Sequence, residues 1–257
     1  MGTFLIAGAS SGIGEACAKK MSEDGHLVVL VARSIDKLQS VANSLPGESY
    51  IYSYDLEDCS NIRSIFDFCK NKNLKLDGLI FSAGMNADVP IKACTPALFE
   101  KVLKINCISF TEMGKCFYNK KYSNNNSRIV AISSSASIAC DKGMGPYSAS
   151  KSALNAIVKT MSKEFVRRGI LVNALLPAGV LTPMAVKKIE TISGYTIDLD
   201  AAIRDIESRP IEVKESEAQP YGIITPKYIA DIVAYLVSLD NRYVTGALIP
   251  VSAGLSF

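Results

Sequence analysis

One histidine, His26, occurs in the 257 residues. A single imidazole leaves no second histidine for a metal cluster and gives little room for a histidine-based triad. His26 stands just before the apolar run LVVLVA and reads as a residue entering a strand. The seven cysteines, Cys17, Cys59, Cys69, Cys94, Cys107, Cys116 and Cys140, make no C-x-x-C and no zinc spacing. They read as buried or half-buried thiols in a reducing compartment, and no metal is expected. No apolar run approaches the ~20 residues of a membrane span. The opening MGTFLIAGASSGIG lacks a basic leader and runs at once into glycine, so no signal peptide and a cytoplasmic location are expected. The net charge of +3 is small and dispersed, which gives no footprint for nucleic acid or a membrane surface. There is no internal repeat and no low-complexity linker.

Hydrophobic residues make up 48% of the chain and charged ones 21%, the balance of a chain with a substantial core. Short apolar runs alternate with helical stretches. TFLIA is followed by a glycine turn and a helix from about Ile13 to Glu23. HLVVLVA precedes a helix from about Asp36 to Ser44. SYIYSY, CSNIRSIFDFCKN and LDGLIFSA continue the alternation, and SRIVAIS, GILVNALL and GALIPV follow. Apolar strands alternating with helices predict an α/β fold. We expect a single Rossmann-like domain over residues 1–257, a doubly wound parallel sheet of about seven strands with helices on both faces. YSNNNS reads as a polar loop. Residues 183–226 carry two short helical patterns and mixed charge, and read as a lid inserted into that domain.

FLIAGASSGIGEA sets Gly8, Gly12 and Gly14 in a G-x-x-x-G-x-G spacing between the first strand and the first helix. A turn bare of side chains lets backbone N–H groups approach a pyrophosphate, and the helix N-terminus favours its charge. Ser10 and Ser11 add hydroxyl donors, and Ile13 lies within the same turn. The second strand ends in Ala32, Arg33 and Ser34. A carboxylate there would accept hydrogen bonds from a ribose 2′-hydroxyl. Arg33 instead suits a 2′-phosphate and can stack on adenine, which favours NADP(H) over NAD(H).

GPYSASKSALNAIVK places Tyr147 and Lys151 four residues apart, on one helix face. The spacing alone fits either a solvated face or a proton donor with its electrostatic tuner. Reduction of a ketone leaves an alkoxide that needs a proton. A phenol with its ordinary pKa near ~10 supplies one poorly at neutral pH, and a nearby ammonium lowers that value. Ser133, Ser134 and Ser135 are each candidates to hold the substrate oxygen.

Taken together, these motifs resemble the short-chain dehydrogenase/reductase superfamily along nearly the whole chain. YDLED resembles the segment ending the family's third strand, implying that Asp55 contacts adenine with Leu56 beside it. FSAG puts Ser82, Ala83 and Gly84 where the family has Asn-Ala-Gly of its Asn-Asn-Ala-Gly segment. KINCIS carries Asn106 at the active-site Asn position, where it would hold a water behind Lys151. The family's serine lies thirteen residues before its tyrosine, which selects Ser134. VNALLPAGVLTPM resembles the segment that cradles the nicotinamide, implying roles for Pro177, the Val180 backbone and the Thr182 hydroxyl. Lys151 would also bind the nicotinamide ribose. The chain departs from the family at Ala7, Ser82, Ala178 and the Ser252–Ala253–Gly254 end. The paired changes at Ala7 and Ser82 suggest repacking where the first and fourth strands meet.

The resemblance implies an NADP(H)-dependent oxidoreductase moving a hydride between nicotinamide and a carbonyl or secondary alcohol. A 3-oxoacyl-carrier-protein reductase is one alternative, with Arg128 and Arg168 as a basic docking patch. A dinucleotide-sensing regulator without catalysis is another. The small residues Ser148, Ala149, Ser150, Ser152, Ala153 and Ala156 fit the family's helix-mediated assembly, so a homotetramer is expected, with a dimer second. The lid's Met184, Ile189, Ile192, Tyr195, Ile197 and Leu199 suit an apolar substrate or simple anchoring. Its Lys187, Lys188, Arg204 and Arg209 suit an anion, against Glu190, Asp198, Asp200 and Glu207.

Overall fold

A computed structural model gives the structure of residues 1–214 and 219–255. Part of the expected lid, 215–218, and the side chain of Ile192 lie outside the described residues. The elements begin with β1 (Thr3–Ala7), α1 (Gly12–Glu23), β2 (Leu27–Ala32), α2 (Ile35–Ser44), β3 (Ser49–Ser53), α3 (Arg63–Asn71) and β4 (Leu76–Phe81). Next come α4 (Pro96–Leu103), α5 (Ser109–Phe117), β5 (Ser123–Ile132), the single turn α6 (Ala136–Ala139) and α7 (Gly145–Glu164). The chain continues with β6 (Leu171–Pro177), α8 (Pro183–Ser193), α9 (Leu199–Ser208), α10 (Pro226–Val237) and β7 (Leu248–Val251).

All seven strands are parallel, in the order β3-β2-β1-β4-β5-β6-β7. The sheet is covered on both faces, so its inner strands are mostly apolar, and every residue of β2 is buried. Alternate side chains point to opposite faces. Val29 and Val31 join Phe66, Phe110 and Leu154 in one core, beneath α3, α5 and α7. Val28 and Leu30 join Cys17, Met21, Ile229 and Val233 in the other, beneath α1 and α10. The strand order turns outward in both directions from β1 and β4. Such a switch point opens a crevice at the carboxyl ends of the strands. Among the described residues no helix is long and apolar enough to cross a membrane.

Two expectations change here. YSNNNS is not a loop outside the sheet: β5 starts at Ser123, which pairs with Leu76, and pairing resumes at Arg128 with Gly78. The extra residues bulge, with Asn126 at φ 57° and the Asn124 amide donating 2.8 Å to Asp77 Oδ1. Arg128 and Arg168 are not a surface patch, since both are 6% exposed. Arg128 Nη2 donates to the Asn241 carbonyl at 2.8 Å, and Arg168 Nη2 to the Ser123 carbonyl at 2.8 Å. The two guanidiniums satisfy backbone carbonyls around the bulge, so they cannot meet a docking partner.

Candidate active site

A cleft of about 630 Å³ runs along the carboxyl ends of the strands. At its outer end lies the turn between β1 and α1. Gly8 adopts φ +80°, and a Cβ there would come within 2.6 Å of the Ala83 amide nitrogen. Only glycine lets the turn pass the end of β4. Gly12 adopts φ +58°, and its Cβ would press on Thr182 across the cleft. Ser10, Ser11, Gly12 and Ile13 line the cleft as expected. Gly14 does not: a Cβ there would collide with the Gly8 carbonyl, so its bareness serves the packing of α1 against the turn. The departures at Ala7 and Ser82 leave the strand tie to the backbone, with Ser82 N–H donating 2.9 Å to the Ala7 carbonyl.

Arg33 and Ser34 follow β2 and line the same end. The Ser34 hydroxyl caps α2 by accepting from Lys37 N–H at 3.4 Å. Lys37, four residues after Arg33, also lines the cleft and was missed from the sequence. Its signal was its place in the first turn after β2. Asp55 and Leu56 border this end too. Asp55 Oδ1 accepts the Glu57 N–H at 3.0 Å, which fixes the turn, and Leu56 is buried beneath it.

At the inner end the three serines part ways. Ser133 is buried and its hydroxyl reaches the Lys151 carbonyl at 3.4 Å. Ser135 donates its N–H to the Pro177 carbonyl at 2.9 Å and does not line the cleft. Ser134 lines the cleft, as Ser133 does, accepts the Ala136 N–H at 3.1 Å, and its hydroxyl acts on the Tyr147 phenol. Tyr147 is half-buried, one turn into α7, and Lys151 follows on the same face. Lys151 is buried, with Nζ donating 2.7 Å to the Ile132 carbonyl and lying 5.8 Å from the Tyr147 ring centre.

The Tyr147 pKa is raised, against the lowering expected from a neighbouring ammonium. Burial pushes the phenol up, the Ser134 hydroxyl pulls it back in part, and the Asp88 carboxylate pushes it further up. The Lys151 ammonium is turned to Ile132, and burial brings it down to about 8. Phenol and ammonium are therefore both held toward their neutral forms by desolvation.

Asn106 and Lys151 come together behind Gly84. It sits in a π-helical turn, Lys104–Ile108, between α4 and α5, fully buried behind the cleft. Its Oδ1 accepts the Met85 N–H at 2.8 Å, and its Nδ2 donates to the Met85 carbonyl at 3.0 Å and to Ser150 Oγ at 2.9 Å. With both amide hydrogens spent, the side chain ties the segment after β4 to α7, and a water behind Lys151 would be held through the carbonyl oxygens of Asn106. Gly84 lies in front: a Cβ there would be 3.4 Å from both Asn106 Oδ1 and Lys151 Nζ.

The segment after β6 closes the other wall. Pro177, Ala178, Gly179, Val180 and Thr182 line it. Val180 pairs with Ile224, which draws the far end of the lid onto the body. The Thr182 hydroxyl caps α8 by accepting from Ala185 N–H at 3.3 Å. Met85, Met144 and Met184 also line the cleft, and the first two carried no periodic or motif signal.

The cleft fits a dinucleotide on its own features. Gly8, Gly12 and Gly84 keep it clear of side chains, and among the described residues Arg33, Lys37, Lys101, Lys151 and Lys188 line it against one carboxylate, Asp55. A phenol, a hydroxyl and an ammonium converge at its inner end, a set suited to proton transfer at an oxygen.

Comparison with known proteins agrees. The short chain dehydrogenase family model matches residues 3–193. A 3-oxoacyl-(acyl-carrier-protein) reductase of Rickettsia prowazekii (strain Madrid E) is 33% identical, with 98% of this chain and 96% of that protein covered. A glucose 1-dehydrogenase of Gluconobacter oxydans (strain 621H) is 31% identical, with 98% and 91% covered. Among solved structures, a variant of actinorhodin polyketide ketoreductase with NADPH superposes with a TM-score of 0.83. It is 25% identical over 99% of this chain and 97% of that one. The chain belongs to the short chain dehydrogenase family. It is an oxidoreductase of the nicotinamide-dependent kind, acting at a carbonyl or its alcohol.

Proposed function

We propose that the protein is an NADP(H)-dependent carbonyl reductase, running in reverse as an alcohol dehydrogenase. The observation that carries this reading is the meeting of Ser134, Tyr147 and Lys151 at the inner end of a glycine-lined cleft whose outer end carries Arg33 and Lys37. Bound nicotinamide supplies or accepts the hydride. Ser134 and Tyr147 hold the substrate oxygen between their hydroxyls. Tyr147 gives its proton to that oxygen as the carbonyl carbon is reduced, or takes it back in oxidation. Lys151 stabilises the phenolate left behind and holds ribose hydroxyls. Gly8, Ser10, Ser11, Gly12 and Ile13 present the pyrophosphate turn, and Gly14 supports it. Arg33, Ser34 and Lys37 take the 2′-phosphate, with Asp55 and Leu56 at the adenine. Ser82, Ala83 and Gly84 border the nicotinamide ribose, and Pro177, Val180 and Thr182 border the carboxamide. Asn106 holds this wall in place through Met85 and Ser150.

The named relative from Rickettsia favours a 3-oxoacyl thioester as one substrate. The buried arginines remove the docking patch invoked for a carrier, so a free carbonyl compound is the first choice. We further propose one domain over residues 1–257, a homotetramer ahead of a dimer, and a cytoplasmic location. A pure sensor has no need of the converged Ser134, Tyr147 and Lys151.

The test is NADPH absorbance across a panel of ketones, with Arg33→Asp in parallel. Turnover with NADPH preferred, and the preference lost in Arg33→Asp, supports the reading. Tight NADPH binding with no turnover of any ketone favours the sensor. An unchanged preference in Arg33→Asp removes Arg33 from the 2′-phosphate site.

A further inference from the structure

The substrate end of the cleft is bordered by α8 on one side and by the segment following β4 on the other. Lys188, in the second turn of α8, lines the cleft there. Its ammonium is 3.0 Å from Asp88 Oδ2, across the mouth. Asp88 does not itself line the cleft. Its Oδ2 also accepts from Asn86 Nδ2 at 3.2 Å, and the next residue, Val89, donates its N–H to the Gly143 carbonyl at 2.8 Å. The carboxylate thus sits on a segment fastened to the loop that leads into α7, while the ammonium belongs to the lid.

Lys188 stands apart from the other lid cations. Lys187 and Arg204 do not line the cleft, and Arg209 is paired with Asp205. Three of the described lid carboxylates are engaged elsewhere. Glu190 accepts the Ile197 N–H, Asp198 caps α9 at Ala201, and Glu207 accepts the Thr225 hydroxyl. Among the described residues the one carboxylate lining the cleft, Asp55, lies at the opposite end beside Arg33. Met184 lies one turn before Lys188 on the same face of α8, and Met144 lies one turn before Tyr147. A substrate leaving Tyr147 would cross thioether surface and then meet an ammonium.

We propose that Lys188 is a specificity-determining residue. It receives an anionic group, carboxylate or phosphate, that the substrate carries beyond an apolar spacer from its carbonyl, and Asp88 is its counter-ion when the cleft is empty. The exchange is cheap. Both side chains of the pair are more than 40% exposed, at 46% and 42%, and exposed pairs contribute little. An incoming anion can therefore replace Asp88 without a large penalty. This rests on the reductase reading of the same site.

The test uses matched probes: straight-chain oxo acids from 4-oxopentanoate upward against their ethyl esters, and hydroxyacetone phosphate against hydroxyacetone. NADPH oxidation at low ionic strength gives the anion-to-neutral ratio of kcat/KM for wild type, Lys188→Gln and Asp88→Asn. The expected result is an anion preference that falls about two- to fivefold in Lys188→Gln. In Asp88→Asn, which frees the ammonium, the preference rises. Taking a ratio cancels any effect of Asp88 on Tyr147. A response from the acid series, the phosphate pair or both sustains the proposal and names the anion. Ester turnover with a ratio indifferent to Lys188→Gln overturns it while leaving the reductase reading intact. So does a ratio that moves the same way in both variants, since a mere latch would behave so. No NADPH oxidation by wild type with any probe overturns both.

Discussion

The Lys151 ammonium lies 5.8 Å from the centre of the Tyr147 ring and gives its 2.7 Å hydrogen bond to the Ile132 carbonyl at the end of β5. The ammonium is therefore held by the sheet, within reach of the phenol. A charge stored in this way costs stability, and that cost can be measured.

Burial lowers Lys151 from 10.5 to about 8. Below pH 8 the folded state carries the full penalty of a buried ammonium. Between pH 8 and 10.5 the unfolded chain binds more protons than the folded one, so the penalty fades as pH rises. Lys151→Met should therefore stabilise the ligand-free protein at pH 7, by about 1–2 kcal/mol after loss of the Ile132 bond. The gain should shrink at pH 10. Urea denaturation at both pH values checks this, and a less stable variant at pH 7 contradicts it.

Asp88→Asn should move the pH profile. The groups facing the phenol are Ser134 at the end of β5, Lys151 on α7 and Asp88 after β4, with Lys188 of α8 offsetting Asp88. Removing the carboxylate lowers the Tyr147 pKa. Reduction needs the protonated phenol, so its alkaline fall should move to lower pH, and the onset of oxidation should move with it. A kcat/KM profile shifted upward or unmoved speaks against the Asp88 assignment.

The fold was legible because its signals are local. The apolar strands and the glycine turn each declare themselves within a dozen residues. The choice among Ser133, Ser134 and Ser135 was not local. It depends on where each side chain points once β5 ends, and motif spacing supplied what periodicity could not. Arg128 and Arg168 misled because exposure is the ordinary fate of arginine. The bulge in β5, with its unpaired carbonyls, gave both of them a buried task. The partners of Asn106 were not legible either: the π-helical turn that aims it inward has no sequence signal, and they lie at Met85 and Ser150. Lys37 and Lys188 sit on exposed-looking helix faces, and only the cleft distinguishes them from their neighbours.

Arg168 should matter to stability where Arg167 does not. Arg168 is buried and donates to Tyr118, Ser123 and Asn125 groups, whereas Arg167 is exposed. Arg168→Ala leaves those carbonyls unpaired and should cost about 2–4 kcal/mol, against about 0.5 kcal/mol or less for Arg167→Ala. Equal denaturation midpoints for the two variants would put Arg168 back on the surface.

The role of Tyr147 is tested most directly by Tyr147→Phe, which removes one oxygen and keeps the ring. NADPH binding, followed by nicotinamide fluorescence, should persist, while the rate of ketone reduction at saturating NADPH falls by about 10²–10⁴. Reduction within tenfold of wild type, with binding intact, would show that the proton comes from elsewhere.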